Sequence, residues 1–415
     1  MCKTIGTIDS IWSAVVFLLI TCLISNINCS QKINTLRVTD ISEFITTKST
    51  SNNEPACLDQ LAYSPCIISE FVDTRFLRVN VHFMNTLDGK NNFGEQASEK
   101  YVSQLLRNAN LRLRSNHQMN LPQGNTTENC QPHYQYVLDR GTDGKGIYHH
   151  YDDELCFFAN KGKHRNNYDR AVINKYAIDL DSVINIFAMS HIPKEIRGEN
   201  YKPTRTGVAL GNGLKIAGLF ETKKEAWEVA TLLNHEIGHI LGLRHTWNSN
   251  DGCEDTPRNP NCWASEGTGE CELASNNVMD YNGSQMAWTP CQLGTIHKSF
   301  NQLQSSQRKL LVKNWCDKSK TPLSIDKDVI WNQALDINQD VIIKSGRALT
   351  ISCRVHMAAN TSITIEPGAT LMLDGARLHN DCGNTWNGIQ IMSHKKTKGE
   401  LLVSSDAVVE HTAAI

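Results

Sequence analysis

His235-Glu236-Ile237-Gly238-His239-Ile240-Leu241-Gly242-Leu243-Arg244-His245 is the stretch from which the rest of the chain can be read. His235 and His239 are four apart, so on an α-helix they stand one turn apart on one face and can grip a single ion. Glu236, beside the first of them, can reach a water on that ion. His245 decides the reading. On a continued helix it would lie roughly 9 Å beyond His239 and off the ligand face. Gly242 solves this, because glycine accepts the left-handed conformation that ends a helix and turns the chain back. Three imidazoles with one coordination position left open describe a catalytic rather than a structural zinc site.

Working outward, Ala226, Val229, Ala230, Leu233, Ile237 and Ile240 form the core stripe of the same helix, opposite the ligand face. Thr222 and Glu225 read as its capping box. Before it, Val208 to Phe220 is glycine-rich: either an edge strand that accepts a peptide by strand addition or a plain loop. Ser182 to Met189 is a nearly continuous apolar run, as in a strand buried on both faces. Phe76 to Phe83 alternates as a strand, and Glu95 to Arg114 carries a helical stripe. Tyr134–Asp139 and Ile147–Tyr151 flank Gly141 to Gly144 and read as a hairpin, with Cys130 and Cys156 placed to bridge it. His149, His150, Asp152, Asp153 and Glu154 are strand-end polar residues or a local metal cluster. Ser305 to Cys316 reads as a closing helix.

Length and composition agree with an exported enzyme. The 415 residues suffice for two or three domains, and a net charge of −2 with 20% charged residues points to no nucleic-acid partner. Fourteen cysteines without a CxxC pair indicate disulfides rather than structural zinc. The apolar run Ile11–Ile24 after Lys3 reads as a secretion signal, with a lipid-anchored Cys22 or Cys29 or a retained anchor as alternatives. Its removal takes away Cys2, Cys22 and Cys29 and leaves eleven cysteines (14 − 3), an odd number. Residues 30–74 are polar and carry Cys57 and Cys66. Either the two pair with each other, or one occupies the open zinc position and holds the enzyme latent.

Beyond His245 the sequence continues as Thr246-Trp247, then Cys253-Glu254-Asp255-Thr256-Pro257, Asn277-Val278-Met279-Asp280-Tyr281, and Thr289-Pro290-Cys291-Gln292. With the elongated histidine motif, this set resembles the pappalysin family of metzincin metallopeptidases over roughly residues 75–317. The resemblance implies zinc at His235, His239 and His245, with Glu236 as general base. It also implies Met279 as a turn beneath the metal and Tyr281 as a switchable ligand or oxyanion stabiliser. Asp255 and Thr256 become candidate calcium ligands, and Cys253, Cys262, Cys271 and Cys291 are expected to form two bridges of unknown pairing.

The tail differs in kind. Val341-Ile342-Ile343, Gly346 and Leu349-Thr350-Ile351 recur as Ile363-Thr364-Ile365, Gly368 and Leu371-Met372-Leu373, an offset of 22 (363 − 341). A repeat of this kind suggests coils of a β-solenoid, with Trp386 to Ile391 opening another, or else a small β-sandwich. The uncapped end suggests a repeat that continues, which would leave a cysteine such as Cys382 without its mate.

The expected fold class is therefore α+β. A metzincin-type catalytic domain, with a twisted mixed sheet, an active-site helix and a backing helix, precedes an all-β repeat domain. The expected divisions are a signal peptide at 1–29, a pro-segment or N-terminal extension at 30–74, the peptidase at 75–317 and the repeat at 318–415. The function implied is a zinc endopeptidase, secreted and either free or associated with the cell surface, acting on proteins or peptides, with no stable membrane span in the mature form. The rival reading is a surface binding or adhesion protein with an inactive metallopeptidase-like domain.

Overall fold

A computed structural model describes residues 33–47, 57, 59–68, 73–90, 92–141, 144–194, 206–219, 225–246, 251–257, 274–281 and 285–414. The proposed signal peptide, the Thr222 half of the capping box, Cys262 and Cys271 lie outside these. In chain order the elements begin with β1 (Asn34–Val38), β2 (Ile45–Thr47), α1 (Pro65–Ile68), β3 (Arg75–Asn85) and α2 (Glu95–Arg114). There follow β4 (Tyr134–Leu138), β5 (Ile147–Tyr151), β6 (Phe157–Phe158), α3 (Ala171–Tyr176), β7 (Ile184–His191), β8 (Thr206–Leu210) and β9 (Gly213–Ala217). The helices α4 (Ala226–Ile240), α5 (Pro290–Asn301) and α6 (Ser306–Lys309) come next.

The first sheet runs β4-β3-β7-β9-β8, with β5 also on β3 and β6 on β7. β7 is buried at every position, as its unbroken apolar run requires. β8 is antiparallel to β9 and ends the sheet, so it is an edge strand. The helices α2 and α4 pack on this sheet around one core of Val81, Leu105, Ile186, Leu233, Ile237 and Met279 among others.

The tail holds three further sheets, built mostly of short parallel strands. Leu323–Ile325, Val341–Ile343, Ile363–Ile365 and Ile389–His394 (β10, β13, β16, β19) pair in that order. So do Val329–Trp331, Ala348–Ile351, Thr370–Leu373 and Glu400–Ser404 (β11, β14, β17, β21). The third set is Leu335–Ile337, Arg354–Met357, Arg377–His379 and Val408–Val409 (β12, β15, β18, β22), while Thr397–Lys398 (β20) folds back on β19. The repeat seen in the sequence is a pairing register: Val341 lies opposite Ile363 and Leu349 opposite Leu371. Inward residues of the sets share a second core with buried Trp331 and Trp386. In sum the chain is mixed α/β, with few helices and mixed sheets.

Four expectations need correction. First, β4 and β5 form no hairpin. Both run parallel to β3 along one edge, with Asp139 N–H on Val79 O and Val81 N–H on Gly146 O. β4 and β5 are successive stretches on that one edge of β3. A Cβ on Gly146, whose φ is +69°, would stand 2.5 Å from Asp139 O.

Second, residues 33–47 join the tail: β1 is antiparallel to β19, β2 is parallel to β21, and Val38 and Ile41 lie in the second core. Third, the bridges among the described residues are Cys57–Cys353, Cys66–Cys130, Cys253–Cys291 and Cys316–Cys382. Cys57 and Cys66 are neither paired together nor available to a metal, and among the described cysteines the free one is buried Cys156, not Cys382. Fourth, the expected closing helix is only the single turn α6 followed by a 3-10 turn at Asn314–Cys316, because Leu311 between them bridges to Leu77 of β3. The longer helix is α5, capped by Thr289 and Gln292.

Two histidines are buried in this scaffold as neutral groups. Burial pushes His82 down to about 3, with neighbouring His150 adding to the shift; its Nε2 faces the Asn80 and Asn185 side-chain oxygens. Burial likewise pushes His297, on Pro132 O at 2.7 Å, down to about 3. Both values lie below the ordinary one of about 6.5, so their contribution is intact above that pH and is lost as pH falls towards 3. Each contributes a slope of up to about 1.4 kcal/mol per pH unit in that window. Urea unfolding of metal-free wild type and His297→Gln between pH 6.5 and 4.5 should show a flatter dependence for the variant. Parallel curves would contradict this.

Candidate active site

The helix α4 starts at Ala226, with Glu225 as N-cap and Glu228 completing the capping box, rather than at the Thr222 box expected. Its stripe of Val229, Leu233 and Ile237 is fully buried. At its end Gly242, with φ +99°, makes the left-handed turn. Gly242 N–H bonds His239 O and Leu243 N–H bonds Gly238 O, each at 3.0 Å, the paired pattern of a Schellman ending. The chain returns and places His245 over the helix.

The three imidazoles then converge. His245 Nε2 lies 3.2 Å from His235 Nε2 and 3.0 Å from His239 Nε2. The other nitrogens face carbonyls: His235 Nδ1 meets Val278 O at 2.7 Å and His239 Nδ1 meets Leu243 O at 3.0 Å. A neutral imidazole donating from Nδ1 carries its lone pair on Nε2. His245 Nε2 can donate to one of these lone pairs at most, so at least one is left without a proton to meet. A cation at the convergence point resolves this, and carbonyl acceptors behind the rings are the usual support of ligating histidines. Burial lowers all three, His235 to about 4 and His245 to about 3, with the neighbouring imidazoles lowering those two further. Neutral rings are what a metal requires.

Other clusters fail this test. Arg354 Nη1 faces His379 Nε2 at 3.4 Å and Asn380 N–H faces His411 Nδ1 at 3.3 Å, so the remaining nitrogen of each neutral ring carries the proton. Cys382, near His356 and Asp381, is in a disulfide, as are Cys253 and Cys291 near Asp255. The residues around His149 have other partners: His149 Nε2 bonds Ser98 Oγ, His150 meets His82, and Asp152 takes Lys175 and Tyr176. Asp255 accepts from Thr289 Oγ1 at 2.7 Å and Cys291 N–H at 2.9 Å, so both its oxygens serve the start of α5. Thr256 donates to Asp251 instead.

Glu236 is buried against β8. A Cβ on Gly207 would stand 2.8 Å from Glu236 Oε1, so the glycine makes room for the carboxylate. Burial raises Glu236 to about 7, opposed by the Ala209 N–H bond. A cation among the histidines would favour the ionised form. Tyr281 is exposed, its ring 4.7 Å from that of His245 and 5.8 Å from that of His235. Burial of its hydroxyl raises its pKa, and the Glu236 charge adds to the shift.

Met279 is fully buried beneath the helix, where a Cβ on Gly238 would stand 2.5 Å from its Sδ. Four further residues, Asp280, Gln285, Gly207 and Gly238, were given no role from the sequence. Asp280 accepts from Thr246, next to His245, and from Ser275; burial raises it to about 7. Gln285 Nε2 donates to Asp280 O at 2.6 Å and Val278 O at 3.2 Å, steadying the carbonyl behind His235. Gly207 and Gly238 offered a signal, as small residues beside motif positions. Gln285 offered none.

Residues 211–301 match the family model of the M43 peptidases, described as pregnancy-associated plasma protein-A. Over this segment the chain is similar to the pappalysin-like metzincin metallopeptidases. The solved structures similar to it include mature mirolysin of Tannerella forsythia in complex with a cleaved peptide, 19% identical with a TM-score of 0.41, covering 58% of this chain and 96% of that one. Mirolysin in complex with compound 9 is 17% identical with a TM-score of 0.41, covering 58% of this chain and 97% of that one. No curated protein matches the chain.

Alanine has the higher helix propensity, yet Gly238→Ala should destabilise the metal-free protein by about 1–3 kcal/mol through overpacking on Met279. Urea unfolding measures it. Equal or greater stability would show that the floor beneath the helix is not tight.

Proposed function

We propose that the chain is a zinc-dependent endopeptidase, exported from the cell, that cleaves peptide bonds in proteins. The observation carrying this reading is the convergence of three imidazole Nε2 atoms whose Nδ1 partners are carbonyls. His235, His239 and His245 would hold the zinc, with Gly242 setting the bend and Met279 the floor. Zinc held there supplies Lewis acidity and makes a bound water acidic enough to react near neutral pH.

The chain's own residues then divide the work. Glu236 takes a proton from the attacking water at its carboxylate and delivers it to the leaving amine nitrogen. The Tyr281 hydroxyl donates to the oxygen of the scissile carbonyl as negative charge develops on it. The edge strand β8, touching Glu236 at Gly207, would bind an extended substrate by strand addition. An acidic base wedged into a gap that only glycine leaves also weighs against an inactive, purely adhesive domain.

Two separate cores support a peptidase body at 75–317 and a β-repeat body at 318–415, the latter joined by residues 33–47. Successive parallel pairings in all three tail sheets support reading that body as solenoid coils. The four disulfides among the described residues favour an oxidising, extracellular setting. No helix among the described residues is long and apolar enough to cross a membrane.

Glu236→Gln should bind zinc as the wild type does, yet lose at least about 10²-fold in kcat on a quenched peptide substrate. Tyr281→Phe should lose about 10²-fold or more in kcat with little change in KM. Dialysis against a zinc chelator should abolish activity, and zinc should restore it. Turnover by Glu236→Gln at the wild-type rate would overturn the assignment.

A further inference from the structure

The tail reaches the histidine helix through one turn of chain. Asp336 of β12 is fully enclosed by three guanidiniums: Arg75 at the start of β3 at 3.0 Å, Arg308 of α6 at 2.7 Å and Arg354 of β15 at 3.0 Å. Arg308 makes a fork, since its Nη2 also meets Asp336 Oδ1 at 3.1 Å. It donates as well to Phe300 O at the end of α5, at 2.8 Å, and to Asp381 beyond β18, at 2.8 Å, and it stacks on Trp315. The single turn α6 is therefore clamped on one side by the tail.

Its neighbour Gln307 points the other way. Gln307 Nε2 donates to Ile240 O at 2.9 Å, while its Oε1 accepts from Ser305 Oγ at 2.7 Å. Ile240 is the last residue of α4, and its carbonyl is one of the four that a helix leaves without an internal partner. It follows His239 directly and precedes the Gly242 bend by two residues, so it sits in the turn that aligns His239 with His245.

We propose that Gln307, held by the Arg308–Asp336 ion pair, is a positioning residue for the metal centre. It fixes the last turn of α4 so that the Nε2 atoms of His239 and His245 share one point. The inference rests on the reading of the triad as a zinc site and adds a role for the tail: it braces the catalytic helix. In Gln307→Ala the Ile240 carbonyl loses its partner, the turn relaxes, and the gain returns only when a ligand pulls the rings together.

The test is zinc affinity by chelator competition on the full chain, for wild type, Gln307→Ala, Gln307→Glu and Gln307→Lys, with thermal unfolding of each metal-free protein alongside. Alanine and glutamate, which remove the donor, should weaken zinc about tenfold and lower kcat with KM unchanged. Lysine, which keeps an N–H donor, should stay within about threefold of wild type. Unchanged zinc affinity in the alanine and glutamate variants, with only a lower unfolding temperature, would overturn the proposal and leave Gln307 as structural glue. A wild-type chain that binds no zinc would instead overturn the metal reading, and this proposal with it.

Discussion

Three converging imidazole nitrogens, with His245 Nε2 within 3.2 Å of each of the other two, are the constraint around which the protein is arranged. Lone pairs at that distance in a largely dehydrated place repel, and the fold holds them there all the same. It does so by spending neighbouring groups on them: a glycine-made bend, two backbone carbonyls that fix the tautomers, and Gln285 behind one of those carbonyls. A cation sharing such a site would relieve that repulsion, and its binding would then stabilise the local fold.

The same economy shapes the surroundings. Glu236 and Met279 approach the helix and its neighbours so closely that Gly207 and Gly238 are the residues that fit. On the far side, Asp336 gathers Arg75, Arg308 and Arg354 where the two bodies meet. The three cations hold its carboxyl far below the usual range against the opposing effect of burial. Such a cluster is a poor source of net stability, since well-packed apolar residues often do as well, but removal of one partner typically costs about 3–5 kcal/mol. It ties β12 and β15 of the tail to β3 and α6, and the Cys57–Cys353 and Cys316–Cys382 bridges add covalent links to the tail.

Much of the site was legible in the sequence because its signals are local. The offsets of His235, His239 and His245 and the position of Gly242 follow from helix geometry alone. The strands β3 and β7 and the helix α2 follow from periodicity, and the 22-residue echo of the tail reappears as strand register. What was misread depends on contacts far apart in the chain. Residues 33–47 pair with strands more than 350 positions away, and no periodicity reports that. Two strands flanking glycines looked like a hairpin because turn chemistry was read without the third strand, β3, to which both are bound. Met279 and Tyr281 were found through resemblance, and Asp280, Gln285 and Gln307 act through backbone carbonyls or buried hydroxyls that composition does not mark.

What the three nitrogens hold decides the chemistry of the site. X-ray absorption at the zinc edge of the zinc-loaded, full-length protein reads the donor set directly. Three nitrogen scatterers at about 2.0–2.1 Å with one light oxygen neighbour, and no sulfur, is the predicted result. A sulfur shell at about 2.3 Å, or zinc held by fewer than three imidazoles, would contradict it.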